Sequence, residues 1–489
     1  MDNPANPQTT LPTHHGLYYG GAWHDPVTKS HFDTINPATG KVLAKVADAT
    51  AGDVDLAVAA AYKGYLAWRD VVPLERARLM RACAAVFREH SRELAMLDSL
   101  DGGNPVSEME GDIRVTAAFW DYFAGFVTEM KGASVPMGPQ SVNFSVREPR
   151  GVVLRIAPFN HPFMFSAGRL AAPLAAGNSV IVKPPEQAPL SALRMAELLD
   201  GLLPPGVINV VPGQREAGAA LVAHKKIAMI GFTGSVPTGR AVARAAAETL
   251  KPVLLELGGK NALIAYDDVD PDRAASAIIR GMNFPWCGQS CGSTSRAFVH
   301  RKIYDKVLAA IRIHATRFVP GIPTSPATTM GAIISKSQHQ KVLAYIKIGL
   351  DEGARLLTGG KVPATPDLAN GFFIEPTVFA DVTQKMRIAN EEIFGPVVSI
   401  LPWDDEAQML EEVNAVEYGL TCSIWTNRLD QAHRTAKRVE AGFVWINEVG
   451  KHFLGAPFGG YKQSGIGREE CIEELLAYSQ EKHIHVNLA

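Results

Sequence analysis

Four short apolar runs decide the fold: GVVLRIAP at 151–158, NSVIVKP at 178–184, GVINVVPG at 206–213 and IAMIGFTG at 227–234. Longer Ala-rich stretches separate them, PFMFSAGRLAAPLAAG at 162–177 and LSALRMAELLDGL at 190–202. Runs that stay apolar at every position belong to strands covered on both faces, and intervening helices of this length join parallel strands. The segment therefore predicts βαβ units around a buried parallel sheet. Ligands of such open sheets collect beyond the carboxyl ends of the strands. Asn160 follows the first run, Lys183 and Glu186 the second, and Gly231 to Ser235 close the fourth.

Upstream, residues 52–131 carry apolar residues at helical spacing with charges between them, as in 53–70 and 74–103. The stretch 133–150 turns Pro- and Gly-rich and ends in the alternating SVNFSVREP, whose partner strand could be the equally alternating HIHVNLA at 483–489. Strands at exposed chain ends often pair with another subunit. After Lys260 a second α/β pattern begins, with strands at RAFVH, PVVSILPW, GLTCSIWT and GFVWIN and helices over 302–318 and 335–353.

A chain of 489 residues requires two or three domains. Its net charge of −2 supplies no footprint for nucleic acid or an anionic membrane. No stretch approaches the ~20 apolar residues that span a bilayer. Five scattered cysteines form no disulfide framework and suit a reducing compartment. Residues 1–16 are polar, with no apolar run after a basic start, and read as a disordered leader. A cytoplasmic location is expected.

Cys291 lies in WCGQSCGS, 286–293. Alone it could be a small buried hydrophobe, but nearby Gly and Ser amides could stabilise a thiolate. Cys287 has no Cys/His partners at zinc spacing, so no metal is expected. Glu256 ends the apolar run PVLL; it is either a buried base with a raised pKa or the ion-pair partner of Lys260. Asn160 in PFNHP could donate to an oxyanion or simply occupy a turn. Lys183 and Glu186 in KPPE could bind hydroxyls or phosphate, or be an ordinary charged loop. The glycines of GFTGSVPTG would let a phosphate approach a helix start, with Pro237 in its first turn; no P-loop is present.

Taken in order and spacing, these motifs resemble the aldehyde dehydrogenase superfamily along nearly the whole chain. PFNHPF, KPPE, GFTGS, ELGGK, GQSCGS, EEIFGPV from Glu391 and PFGGYKQSGIGRE from Pro457 carry the likeness. The resemblance implies that Cys291 attacks an aldehyde, that the Asn160 amide and the Cys291 N–H hold the oxyanion, and that Glu256 activates water. It implies NAD as cofactor, with Lys183 and Glu186 at the adenosine ribose and Gly234, Ser235 and Gly239 near the pyrophosphate. Glu392 would bind the nicotinamide ribose, with Phe394, Phe159 and Leu257 beside it. A carboxylate at Glu186 repels a 2′-phosphate, so NAD is expected over NADP.

The fold implied is α/β: a Rossmann-like NAD-binding domain (17–132 and 151–259), an α/β catalytic domain (260–445), and a small β extension for oligomerisation (133–150 and 479–489). Residues 446–478 would return to complete the site. A homodimer or homotetramer follows. Trp120, Phe123, Phe165, Gly168, Phe284, Trp286 and Phe453 would line a roomy pocket for an aromatic or larger aliphatic aldehyde, Gly168 standing where many relatives carry a bulky side chain. Alternatives are a CoA-acylating semialdehyde dehydrogenase, against which Glu256 argues, a thiol hydrolase, and a non-catalytic protein of the same fold.

Overall fold

The computed structural model describes residues 11–488. Its first sheet has the strand order Ala22–His24, Leu17–Tyr19, Ile208–Val210, Ser179–Lys183, Val152–Ile156, Ile227–Thr233, Val253–Glu256, Gly465–Ile466. The five strands from Ile208–Val210 to Val253–Glu256 are parallel; a hairpin of two strands, its inner one antiparallel to Ile208–Val210, closes one side and a single antiparallel strand the other. Side chains along each strand alternate between two cores. Leu154, Ile181, Ile230 and Leu255 pack with helices Ala51–Arg69, Arg215–Ala223 and Val236–Ala247. Val153, Val180, Val182, Met229 and Leu254 pack on the other face, under helices Pro73–Glu89, Val106–Ala124 and Leu190–Leu199. Burial on both faces is why these strands read as apolar runs, broken only where Arg155 and Asn209 find buried polar partners.

A second sheet runs Arg355–Thr358, Thr377–Ala380, Val397–Trp403, Arg296–His300, Ala262–Ala265, Thr421–Trp425, Phe443–Ile446, parallel except at its first strand. Helices Pro271–Gly281, Arg301–Ala315 and Lys336–Asp351 contribute to its core. Ser141–Pro149 pairs antiparallel with Ser479–Asn487 over nine residues, the partnership the alternation suggested.

The helical stretch 74–103 is two helices, Pro73–Glu89 and Ser91–Gly102, divided at His90. The short strands before residue 48 and the strand Gly465–Ile466 had no clear apolar signal. Of the expected disordered leader, residues 1–10 lie outside the described residues, whereas 11–16 are ordered against the fold. Leu11 packs on the core, and His14 stacks on Trp23 at 4.7 Å between ring centroids. No helix among the described residues is long and apolar enough to cross a membrane.

Candidate active site

A cavity of about 420 Å³ opens at the carboxyl ends of the first sheet's strands, where the second sheet abuts it. Asn160, Phe165, Glu256 and Cys291 line one part. Lys183, Glu186, Gly234, Ser235, Leu257, Phe159, Glu392 and Phe394 line the rest. Every predicted catalytic residue thus reaches one space, as does every predicted cofactor residue but one. Gly239 lies one layer back: a Cβ there would come within 2.6 Å of Leu257 Cδ2, so glycine lets the helix approach the strand end.

Glu256 ends its strand buried, and neither carboxylate oxygen meets a donor among the described residues other than the Cys291 thiol. Burial, reinforced by the charge of Glu469, pushes it up to about 8. Neither oxygen pairs with Lys260, the ion-pair partner that the sequence also offered. Lys260 is buried, in the field of Glu392 and Glu391, and desolvation pulls it down to about 7.

The setting of Cys291 opposes a thiolate in the absence of a ligand. Burial and the neighbouring Glu256 hold the thiol well above its ordinary range. Two groups that are both costly to ionise thus face one another, and a proton leaving sulfur has a carboxylate within reach. Asn261 fixes the Cys291 loop: its amide donates to the Cys291 carbonyl (2.6 Å) and the Ser293 carbonyl (3.0 Å), and its Oδ1 accepts from the Thr421 N–H. Asn160 is pinned through its main chain, where Asn104 Nδ2 donates to its carbonyl at 2.8 Å. Its side chain makes no hydrogen bond among the described residues, and Asn160 lines the cavity.

The cofactor half has the features of a polar ligand's cradle. Ser235 caps helix Val236–Ala247, and Pro237 occupies its first turn as expected. Thr233 Oγ1 is buried at the cavity wall without a partner among the described residues. Glu392 accepts from the Gly259 N–H at 2.8 Å, leaving its second oxygen available. Phe394 has φ +54°, a strained conformation for a bulky residue. Gln338, whose amide donates to the carbonyls of Ile393 (3.1 Å) and Phe394 (2.8 Å), holds it there.

Sequence reasoning missed Gln338 and Lys341, which reach the cavity from helix Lys336–Asp351. It also missed a buried charge cluster behind Glu256. Arg155 pairs with Glu469 (3.0 Å) and donates to Tyr478 (2.8 Å), while Arg169 pairs with Glu469 (3.3 Å) and Glu470 (2.9 Å).

The expected substrate pocket is largely corrected. Trp120, Phe123 and Phe284 are core residues; the Trp120 indole donates to the Ala167 carbonyl at 2.9 Å. The space at Gly168 is not open, since a Cβ there would meet Phe119 at 3.3 Å and Thr116 at 3.6 Å. Phe453 is exposed. Phe165 lines the cavity, and Trp286 stands half-buried nearby through His161, which is 5.9 Å from the Phe165 ring and 5.3 Å from the Trp286 ring.

A sequence model of the aldehyde dehydrogenase family matches residues 23–484. The chain belongs to the aldehyde dehydrogenase family. It is 50% identical over 490 aligned positions to "Aldehyde dehydrogenase tropH" of Talaromyces stipitatus, covering 98% of this chain and 95% of that protein. The NAD+ complex of a Bacillus cereus aldehyde dehydrogenase superposes with a TM-score of 0.93 at 40% identity, covering 97% and 96% of the two chains. The indole-3-acetaldehyde dehydrogenase AldA of P. syringae, solved with NAD+ and IAA, gives 0.94 at 35% identity over 98% of both.

Proposed function

We propose that this aldehyde dehydrogenase oxidises an aldehyde to the free carboxylic acid with NAD, through a covalent bond to Cys291. The observation that carries the reading is convergence. A thiol, a carboxyl of raised pKa and a free amide donor share one cavity with a helix start, Lys183 and Glu186.

Glu256 takes the proton as the Cys291 sulfur adds to the aldehyde carbon. The developing oxyanion of the thiohemiacetal is stabilised by the Asn160 amide and the Cys291 N–H. NAD, when bound, supplies the hydride acceptor, and Lys183, Glu186, Ser235 and Glu392 are the residues that would hold it. Once Glu256 has released that proton to solvent, it deprotonates the water that attacks the thioester; the acid leaves, and the departing sulfur takes this second proton back as the thiol. Phe165 and Trp286 favour a flat apolar substrate, so an aromatic or larger aliphatic aldehyde is proposed over acetaldehyde.

An NADH-coupled aldehyde screen tests this, with product analysis in the presence of CoA. Free acid and NADH in equal amounts are expected. Acyl-CoA as the product, or no NADH from any aldehyde, would overturn the hydrolytic reading.

A further inference from the structure

The two donors proposed to hold the oxyanion belong to different halves of the molecule. Asn160 follows strand Val152–Ile156 of the first sheet, whereas Cys291 precedes strand Arg296–His300 of the second. Their alignment must be fixed where the halves touch, because a misplacement of about 1 Å can cost a hundredfold in rate.

Asn104 stands at such a point. It is buried, in the short link between helices Ser91–Gly102 and Val106–Ala124. Its Nδ2 donates to the Asn160 carbonyl at 2.8 Å. The two helices also grip the residues that follow Asn160. Asp112 Oδ2 lies 2.7 Å from His161 Nδ1, and Asp98 Oδ2 accepts from the Phe163 N–H at 3.0 Å. On its other side the link meets the second half with no side chain between. The Ala332 N–H donates to the Gly103 carbonyl at 2.8 Å, and a Cβ on Gly331 would lie 2.0 Å from that carbonyl oxygen. Residues 331–334 in turn hold the approach to Cys291. The Gly331 N–H donates to the Pro285 carbonyl at 3.2 Å, and the Ile334 N–H to Gln289 Oε1 at 3.1 Å.

Asn104 Oδ1 is buried with no partner among the described residues, which offsets what the Nδ2 bond contributes to stability. What the bond does supply is orientation, since the Asn160 carbonyl can only accept and Nδ2 must face it. We propose that Asn104 is a positioning residue for the reaction at Cys291, keeping the Asn160 amide aligned with the Cys291 N–H. This rests on the proposed oxidation at Cys291.

The test is a double-mutant cycle on the full-length enzyme: Asn104→Leu, Asn160→Ala and the two combined, with Asn104→Ser as a second replacement. kcat/KM is measured with NAD and either benzaldehyde or hexanal. It is expressed per mole of Cys291 that iodoacetamide alkylates, counted by mass spectrometry, so misfolded enzyme drops out. Alkylation is a displacement without a carbonyl oxyanion, so its rate should stay within about threefold of the parent. Asn160→Ala should lose about a hundredfold to a thousandfold in kcat/KM, as removal of one oxyanion donor does. Asn104→Leu and Asn104→Ser should each lose about tenfold to a hundredfold. In the Asn160→Ala background the Asn104→Leu loss should shrink to within about threefold, because its effect passes through that amide. Parent-like kcat/KM in Asn104→Leu, an equal loss in both backgrounds, or failure of Cys291 to alkylate in both Asn104 variants would overturn the proposal. Full activity in Asn160→Ala, or no NADH from either aldehyde with the parent, would instead remove the reading on which it rests.

Discussion

Glu256 spends much of the neutral range protonated, because its strand buries it, with the charge of Glu469 nearby. As the proposed base for deacylation it must be ionised, so the steady-state rate should climb with pH through about 8. In Glu256→Gln a rapid burst of NADH should precede a slow steady state, and the alkaline rise should vanish; stopped-flow absorbance across pH reads both. The same burial has a stability consequence. An unfolded glutamate ionises near 4.3, so between there and about 8 the folded chain holds the extra proton and stability falls as pH rises. Glu256→Gln should therefore gain melting temperature over the parent at pH 9 relative to pH 5. Cys291→Ala should lose oxidation by at least about a thousandfold, measured as NADH formation. Cys291 and Glu256 were legible because each stands in a motif, Glu256 at a strand end and Cys291 in a Gly- and Ser-rich loop. Arg169 and Asn261 were not, because their importance comes from Glu469, Glu470 and Thr421, residues far away in sequence.

Between strand and loop, Gly258 shows how closely the cofactor wall is built. A Cβ there would lie 2.3 Å from Glu392 Oε2, so the carboxylate must swing away in Gly258→Ala. The KM for NAD should rise about tenfold, with a smaller change in kcat, as a misplaced binding group demands; initial-rate kinetics at saturating aldehyde check it. The parallel strands of the first sheet were readable because two-sided burial leaves an apolar run. Helix Lys336–Asp351 was readable as a helix but not as part of the site: Gln338 and Lys341 look like ordinary surface positions until the two sheets meet. The aromatic pocket failed for a related reason, since Trp120 and Phe284 have the composition of a binding wall and the burial of a core.

Across the whole molecule, the final residues stitch the parts together. Ser479–Asn487 lies along Ser141–Pro149, and just before it the Tyr478 hydroxyl and carbonyl accept from Arg155 and Asn178. If this two-stranded extension is the proposed subunit contact, deleting residues 479–489 should reduce the mass seen by light scattering and lower the melting temperature by about 5 °C or more. An unchanged mass would remove the oligomerisation role. The strand Gly465–Ile466, antiparallel to the one ending at Glu256, also sets a timetable. During synthesis, the edge beside Leu255 and Glu256 emerges roughly two hundred residues before the segment that covers it. At typical translation speeds that is about 10–40 s of exposure. An unpaired edge is an invitation to the wrong neighbour. The enzyme's nascent chain should therefore depend on chaperones during that interval, and Glu256, its proposed catalytic base, cannot be enclosed until Gly465 and Ile466 have left the ribosome.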